Sequence, residues 1–298
     1  MHNKTAPLFA VFALCFFTGL LFLLCLLLFA TPAHQKKRAG EEYAALASSL
    51  REEAPQDVRK PAAKEEAAEA AAEVETTSRT GEDLPGLSAD AWETLVSTNE
   101  SAVGILRFPV LHFSYPIAQG KDNTAYLDTT FAGTPSPAGS VFLDAGASPD
   151  LTDRNSFLFA HNMADGSMFG SLKTLGENRA LTDSAPSGIY FRIAGKERTL
   201  AYRVIGFRPV GTGDESFYCR ISSDADYDAW LASALEGSWY APGEGALAKT
   251  KGERPDLVIL STCYGTGHTE NFAVIGARWE RACYNEPDIA TTETIPTP

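Results

Sequence analysis

Between Leu87 and Trp279 the chain alternates short apolar runs with clusters of turn-forming residues. The runs are VGILRFP, FSYPIAQ, GSVFLDA, SFLFAH, GIYFRI, TLAYRVIGFRPV, DLVILSTC and NFAVIGARW. Each has strand length, carries β-branched or aromatic side chains, and is bounded by Gly, Pro, Asn, Asp or Ser. Eight such runs at this density predict a closed or nearly closed β-barrel. The LVIL of the seventh run does not alternate, as expected of a central strand buried on both faces. Helical spacing breaks the pattern in three places. ADAWETLV follows an N-cap at Ser88 and sets Trp92, Leu95 and Val96 on one face. Ser223 to Leu235 aligns Tyr227, Trp230, Leu231 and Leu235, and a further short helix is expected around Met168 to Leu175.

The pattern changes character before Leu87. Ala6 to Ala30 is uncharged and rich in Leu and Phe, longer than the roughly 20 residues that cross a bilayer and than the core of a secretory signal. We read it as a retained single-pass anchor, preceded by a short flank (1–5). Lys4 is the only basic side chain before it, whereas Lys36, Lys37 and Arg38 follow it. Taken alone, that asymmetry places the C-terminal part in the cytoplasm. Residues 31–86 then read as a charged Ala/Glu-rich stalk or a plain linker, with Pro55 and Pro61 interrupting its high helix propensity. Ala39 to Asp83 alone holds twelve acidic and five basic residues, over half of the chain's net charge of −13. Residues 286–298 read as a disordered tail.

That acidity argues against a nucleic-acid partner. Cys15 and Cys25 fall in the predicted span, leaving Cys219, Cys263 and Cys283, an odd number that excludes a disulfide-dense scaffold. No Cys/His spacing fits a structural metal.

Cys263 ends the LVILSTC run, at the rim where the chain leaves the core. A nucleophile and an inert core thiol are both open at this point. A nucleophilic thiol needs a neighbouring base or positive charge. His2 and His34 flank the span, His112 sits in a strand or turn, and His268 lies in a Gly-rich loop suited to a solvated imidazole. His161 instead ends the strand SFLFA and opens HNMADGSMFGSL. Two strand ends that present Cys263 and His161 on one rim make a dyad, with the histidine as general acid and base.

FLFAHNMADGSMFGSL resembles the histidine motif of class B sortases, and LVILSTCYG resembles the sortase cysteine signature. The preceding ETLVSTNESAVGILRFPVLHFSYPIAQGKDNTAYLDTTFAGTPSPAGSVFLDA is similar to the start of the class B catalytic domain, so the resemblance runs from Leu87 to Cys283. It implies a sortase-type eight-stranded barrel with short helices (87–285), extracellular on a Gram-positive cell membrane, in conflict with the local charge count. The implied activity is that of a cysteine transpeptidase or thiol protease. Cys263 attacks the carbonyl of a threonine in a C-terminal sorting signal, His161 protonates the leaving amine, and the thioester passes to an amine of a peptidoglycan precursor or a pilin lysine. The implied partners are surface proteins or pilins, with no metal or cofactor. Asn123 and Leu127 match positions lining the peptide groove, though a turn role and a core role are the respective rivals; Ser261, Thr262 and Tyr264 flank the nucleophile and border that groove. One position departs from the family: Asn271 stands where an arginine is expected, able to donate to an oxyanion but not to supply charge. Arg278, seven residues along the strand, lies roughly 23 Å away. A hydrolase, or an inactive barrel kept as a peptide-binding module, are the alternatives. Asp165 reads as a turn residue.

Overall fold

The computed structural model describes residues 14, 17–21, 32–50, 84–183, 188–263 and 269–279. Along the chain these form α1 (Pro32–Ser49), β1 (Leu84–Pro85), α2 (Ala89–Thr98), β2 (Ala102–Phe108), β3 (Phe113–Gln119), β4 (Val141–Leu143) and β5 (Asn155–His161). Then follow α3 (Thr174–Glu177), α4 (Arg179–Asp183), β6 (Tyr190–Ala194), β7 (Arg198–Gly211), α5 (Asp224–Leu235), α6 (Glu244–Glu253), β8 (Leu257–Cys263) and β9 (Glu270–Arg278). The strand order is β7-β6-β2-β3-β4-β5-β8-β9, and β9 pairs back onto β7, closing an eight-stranded barrel; the two-residue β1 hangs on β7. Closure leaves no open edge among these eight strands.

The barrel interior is filled by alternate residues, among them Leu158 and Ala160 of β5, Val258 and Leu260 of β8, and Phe272 and Val274 of β9. The intervening residues of the same strands are buried as well. Phe157, Leu257, Ile259, Ala273 and Ile275 pack beneath Tyr227, Trp230, Leu231 and Ala234 of α5. This second, outer core explains why LVIL reads as a continuous apolar run: its strand has no solvent face. Ser223 caps α5, its hydroxyl accepting from the Asp226 N–H, and the Trp230 indole N–H donates to the Phe217 carbonyl at 2.8 Å.

Three features differ from the sequence expectations. The helix expected from Met168 begins only at Thr174. Met168 itself has a positive φ of 53° and bridges back to Asn162, so the preceding residues form turns that fold the loop onto β5. Helix α6 was not anticipated, because only Ala246 and Thr250 of its ten residues are buried and no apolar stripe marks it. The stretch read as a solvated stalk begins with a helix docked on the barrel: Ala39 and Tyr43 of α1 join the interior core cluster. The rest of the acidic stretch (51–83) and the tail (286–298) lie outside the described residues. Most of Ala6–Ala30 does too, and among the described residues no helix is long and apolar enough to cross a membrane.

Candidate active site

β5 and β8 are parallel neighbours, and their register places His161 opposite Cys263. Adjacent strands run about 4.8 Å apart, so the two backbones meet at one rim of the barrel. His161 continues the outward face of Phe157 and Phe159, the face roofed by the outer core. The β8–β9 ladder ends at Ser261 opposite Ala273; continued two residues, the same register sets Asn271 across from Cys263. Three consecutive strands therefore bring His161, Cys263 and Asn271 to one end of the sheet. The backbone of β8 is described as far as Cys263; Tyr264 and His268 lie in the 264–268 loop, outside the described residues.

His161 is half-buried, and its Nε2 lies 2.6 Å from the Leu127 carbonyl oxygen. A carbonyl can only accept, so Nε2 carries the proton it donates and Nδ1 is left as the nitrogen free to exchange one. The acceptor is itself held. Ser140 N–H donates to the Tyr126 carbonyl at 3.0 Å and Ser136 N–H to that of Asp128 at 2.8 Å, fixing the peptides on either side of Leu127. Leu127 thus reaches the site through its backbone, a role its side chain could not announce. Gly139 is the sensitive point in this loop. It has φ +58°, and a Cβ there would come within 2.5 Å of the Leu127 oxygen and 2.6 Å of the Tyr126 oxygen. Gly139→Ala is therefore expected to push the Leu127 carbonyl off the imidazole and slow turnover by about 10- to 100-fold. Steady-state kinetics beside thermal unfolding checks this, since left-handed strain alone costs only about 1–2 kcal/mol.

On the other side of His161, its carbonyl accepts from Phe169 N–H at 3.0 Å, drawing the HNMADGSM loop back on itself. Asp165 accepts from the backbone N–H and hydroxyl of Ser167 at 3.0 and 2.6 Å, as its turn role requires, and pairs with Lys36 of α1 at 2.6 Å. Burial alone would raise the Asp165 carboxyl, but hydrogen bonds from Lys36 and Ser167, with the charge of Lys36, outweigh it and hold it at about 2. Both partners are over a third exposed, so the pair itself contributes under about 1 kcal/mol.

The residues flanking Cys263 are enclosed. Ser261 and Thr262 are 0% and 1% exposed. Thr262 Oγ1 accepts from Phe272 N–H at 2.8 Å, stitching β8 to β9 just past the end of their ladder. Ser261 Oγ lies 2.9 Å from the Tyr218 hydroxyl, which also accepts from Asn271 Nδ2 at 2.7 Å. Either hydroxyl can donate in the Tyr218–Ser261 contact. The Ser261 and Thr262 side chains are buried and hydrogen-bonded within the barrel wall. Asn271 is 9% exposed and one of its two amide protons is committed to Tyr218. Asn123 is exposed, donating to the Asp144 carboxylate and accepting from Ala145 N–H, both at 2.7 Å. These bonds tie its loop to the end of β4, while the turn weighed for it is fastened by Asp122, which accepts from Thr124 and Ala125. Arg278 sits at the far end of β9, 3.7 Å from Asp256, and His112 caps a surface turn.

Sequence reasoning missed Tyr218. It lies in an irregular segment after β7 with no period to read, and α5 places it by holding the Phe217 carbonyl. Its ring packs on Phe157 and Phe159 at 5.5 and 6.2 Å between centroids. Tyr218→Phe keeps that packing but strands the Ser261 and Asn271 polar groups. A loss of about 1–3 kcal/mol in unfolding free energy is expected, measurable by urea denaturation.

The comparisons with known proteins agree with the eight-stranded barrel fold. Sortase B of Listeria monocytogenes is 28% identical over 180 residues, covering 58% of this chain and 67% of that protein. Sortase B of Staphylococcus aureus is 30% identical over 82 residues, 28% of this chain and 34% of that protein. The chain is a homologue of the class B sortases. Its fold matches the crystal structure of Bacillus anthracis sortase B, solved in complex with AAEK1, with a TM-score of 0.61 at 22% identity, over 82% of this chain and 98% of that one. No protein-family model matches the chain.

Proposed function

We propose that this protein is a membrane-anchored cysteine transpeptidase of the class B sortase type. The observation that carries the reading is the pairing of His161 with Cys263 across two parallel strands. With Nε2–H given to Leu127, the free Nδ1 accepts the thiol proton. The Cys263 thiolate then adds to the threonine carbonyl of a C-terminal sorting signal, forming the S–C bond. As the tetrahedral adduct collapses, the C–N bond breaks and Nδ1–H returns the proton to the departing amine, leaving a thioester. An amine from a peptidoglycan precursor or a pilin lysine adds to the thioester carbonyl and gives its proton to Nδ1. The new C–N bond is kept as the S–C bond breaks, and the departing thiolate takes that proton from Nδ1 to re-form the thiol. The second amide proton of Asn271 is the donor assigned to the oxyanion. Ala6–Ala30 is assigned as the anchor, with the barrel on the outer face of the cell membrane. Five residues lie between Ala30 and Lys36, six Cα steps that reach at most about 21 Å; with Lys36 paired to Asp165, this supports a histidine loop close to the membrane.

The full chain in detergent micelles, incubated with threonine-containing sorting peptides, tests the reading by intact mass. An acyl adduct that forms on the wild type and is consumed by an added amine supports it. Failure of every sorting peptide to acylate the protein rejects it in favour of an inert peptide-binding barrel, and adduct loss to water regardless of amine identifies a hydrolase.

A further inference from the structure

Helix α1 contacts both loops that hold His161. Tyr43, 9% exposed, donates its hydroxyl proton to the Gly139 carbonyl at 2.9 Å and accepts from Phe131 N–H at 3.2 Å. Glu42 accepts from the Thr130 hydroxyl at 2.9 Å and from Ala132 N–H at 3.0 Å. These four partners belong to the loop whose Leu127 carbonyl receives the His161 proton. On the opposite side Lys36 pairs with Asp165 of the histidine loop. The Tyr43 ring meets Tyr115 edge-on at 5.8 Å, and the Tyr115 hydroxyl accepts from Met168 N–H at 3.0 Å where the same loop returns. One helix turn after another thus ties down the two segments between which the imidazole sits. Burial drives Tyr43 up to about 12, so its hydroxyl remains a donor at any pH of interest.

We propose that the Pro32–Ser49 helix is a positioning element for His161, its residues Lys36, Glu42 and Tyr43 clamping the two loops that keep Nε2–H on Leu127 and Nδ1 toward Cys263. The helix touches no reacting atom; it acts through the loops. The first part of the segment after the predicted anchor, Pro32–Ser49, then positions the catalytic histidine instead of serving as a spacer. This rests on the Cys263–His161 reading above.

The test uses the full chain in detergent micelles, with Tyr43→Phe, which keeps the ring and removes the hydroxyl, and Lys36→Met, singly and together. Ala39→Asp puts a carboxylate where the native residue is 2% exposed and releases the helix outright. Hydrogen exchange over residues 32–49 reports release. Two readouts follow: kcat and KM for peptide acylation, and the pH dependence of Cys263 alkylation followed by peptide mass spectrometry. Helix release is expected to lower kcat about 10-fold with KM within about 2-fold. The alkylation midpoint is expected to rise toward the free-thiol value of about 8.5 as the imidazolium loses its station. Lys36→Arg should behave as the wild type. A helix that exchanges freely while kcat and the alkylation midpoint stay unchanged overturns the proposal, as does a loss confined to unfolding temperature. Absence of any acylation in the wild type rejects the enzyme reading alone, because the alkylation profile still reports whether the helix governs the dyad.

Discussion

Cys263→Ala is expected to abolish the acyl adduct and reduce turnover by on the order of 10⁴- to 10⁶-fold. A methyl group cannot form the S–C bond, and no second thiol among the described residues can take its place. Cys219 is free and exposed, but its carbonyl accepts from the Asn155 amide at 2.8 Å, at the opposite end of β5 from His161. That separates it from the rim by about 20 Å of strand. Intact mass with a sorting peptide, followed by digestion to locate the modified cysteine, checks the result. Adduct of equal yield on the alanine variant would remove Cys263 from the mechanism. The substitution removes one sulfur at a strand end, so far-UV circular dichroism should be unchanged.

His161→Gln is expected to cost about 10²- to 10⁴-fold in kcat, with the fold retained. Glutamine can still place an N–H near the Leu127 carbonyl, so the loop contact survives in kind. What it cannot do is take a proton from the thiol and return it to the leaving amine. The loss should therefore shrink for peptide thioesters or activated esters, whose leaving groups need no proton. Parallel kinetics on amide and activated substrates separates this outcome from a general loss of folding. An equal deficit on both substrates would assign His161 a structural part only.

The barrel was legible in sequence because its strands obey simple burial rules. All eight runs became strands, and the run without alternation proved to be roofed on both faces. The histidine and cysteine were legible as strand ends, since a reactive side chain at a rim follows an apolar run on each of two strands. Tyr43 was the single aromatic in the Ala39–Asp83 stretch and could have flagged a docked face. The apolar positions Ala39, Tyr43, Leu46 and Leu50 do recur at helical spacing and pack on the barrel, but the surrounding Ala, Glu and Lys composition matches a solvated helix equally well. Tyr218 and Gly139 gave no signal either, as each acts through one hydrogen bond or one close approach.

The sequence by itself thus determined the barrel class and the two chemical groups, which depend on residue identity and short-range periodicity; the expectation of an arginine at Asn271 came only from the family resemblance. The tertiary structure alone decided that His161 and Cys263 share a register on adjacent strands. It decided equally that Leu127 enters through its carbonyl, that Asn271 is tethered to Tyr218, and that α1 grips the histidine's loops. Each of those joins residues tens of positions apart through backbone atoms or single side chains. Such contacts are fixed by barrel closure and packing, which no local pattern encodes.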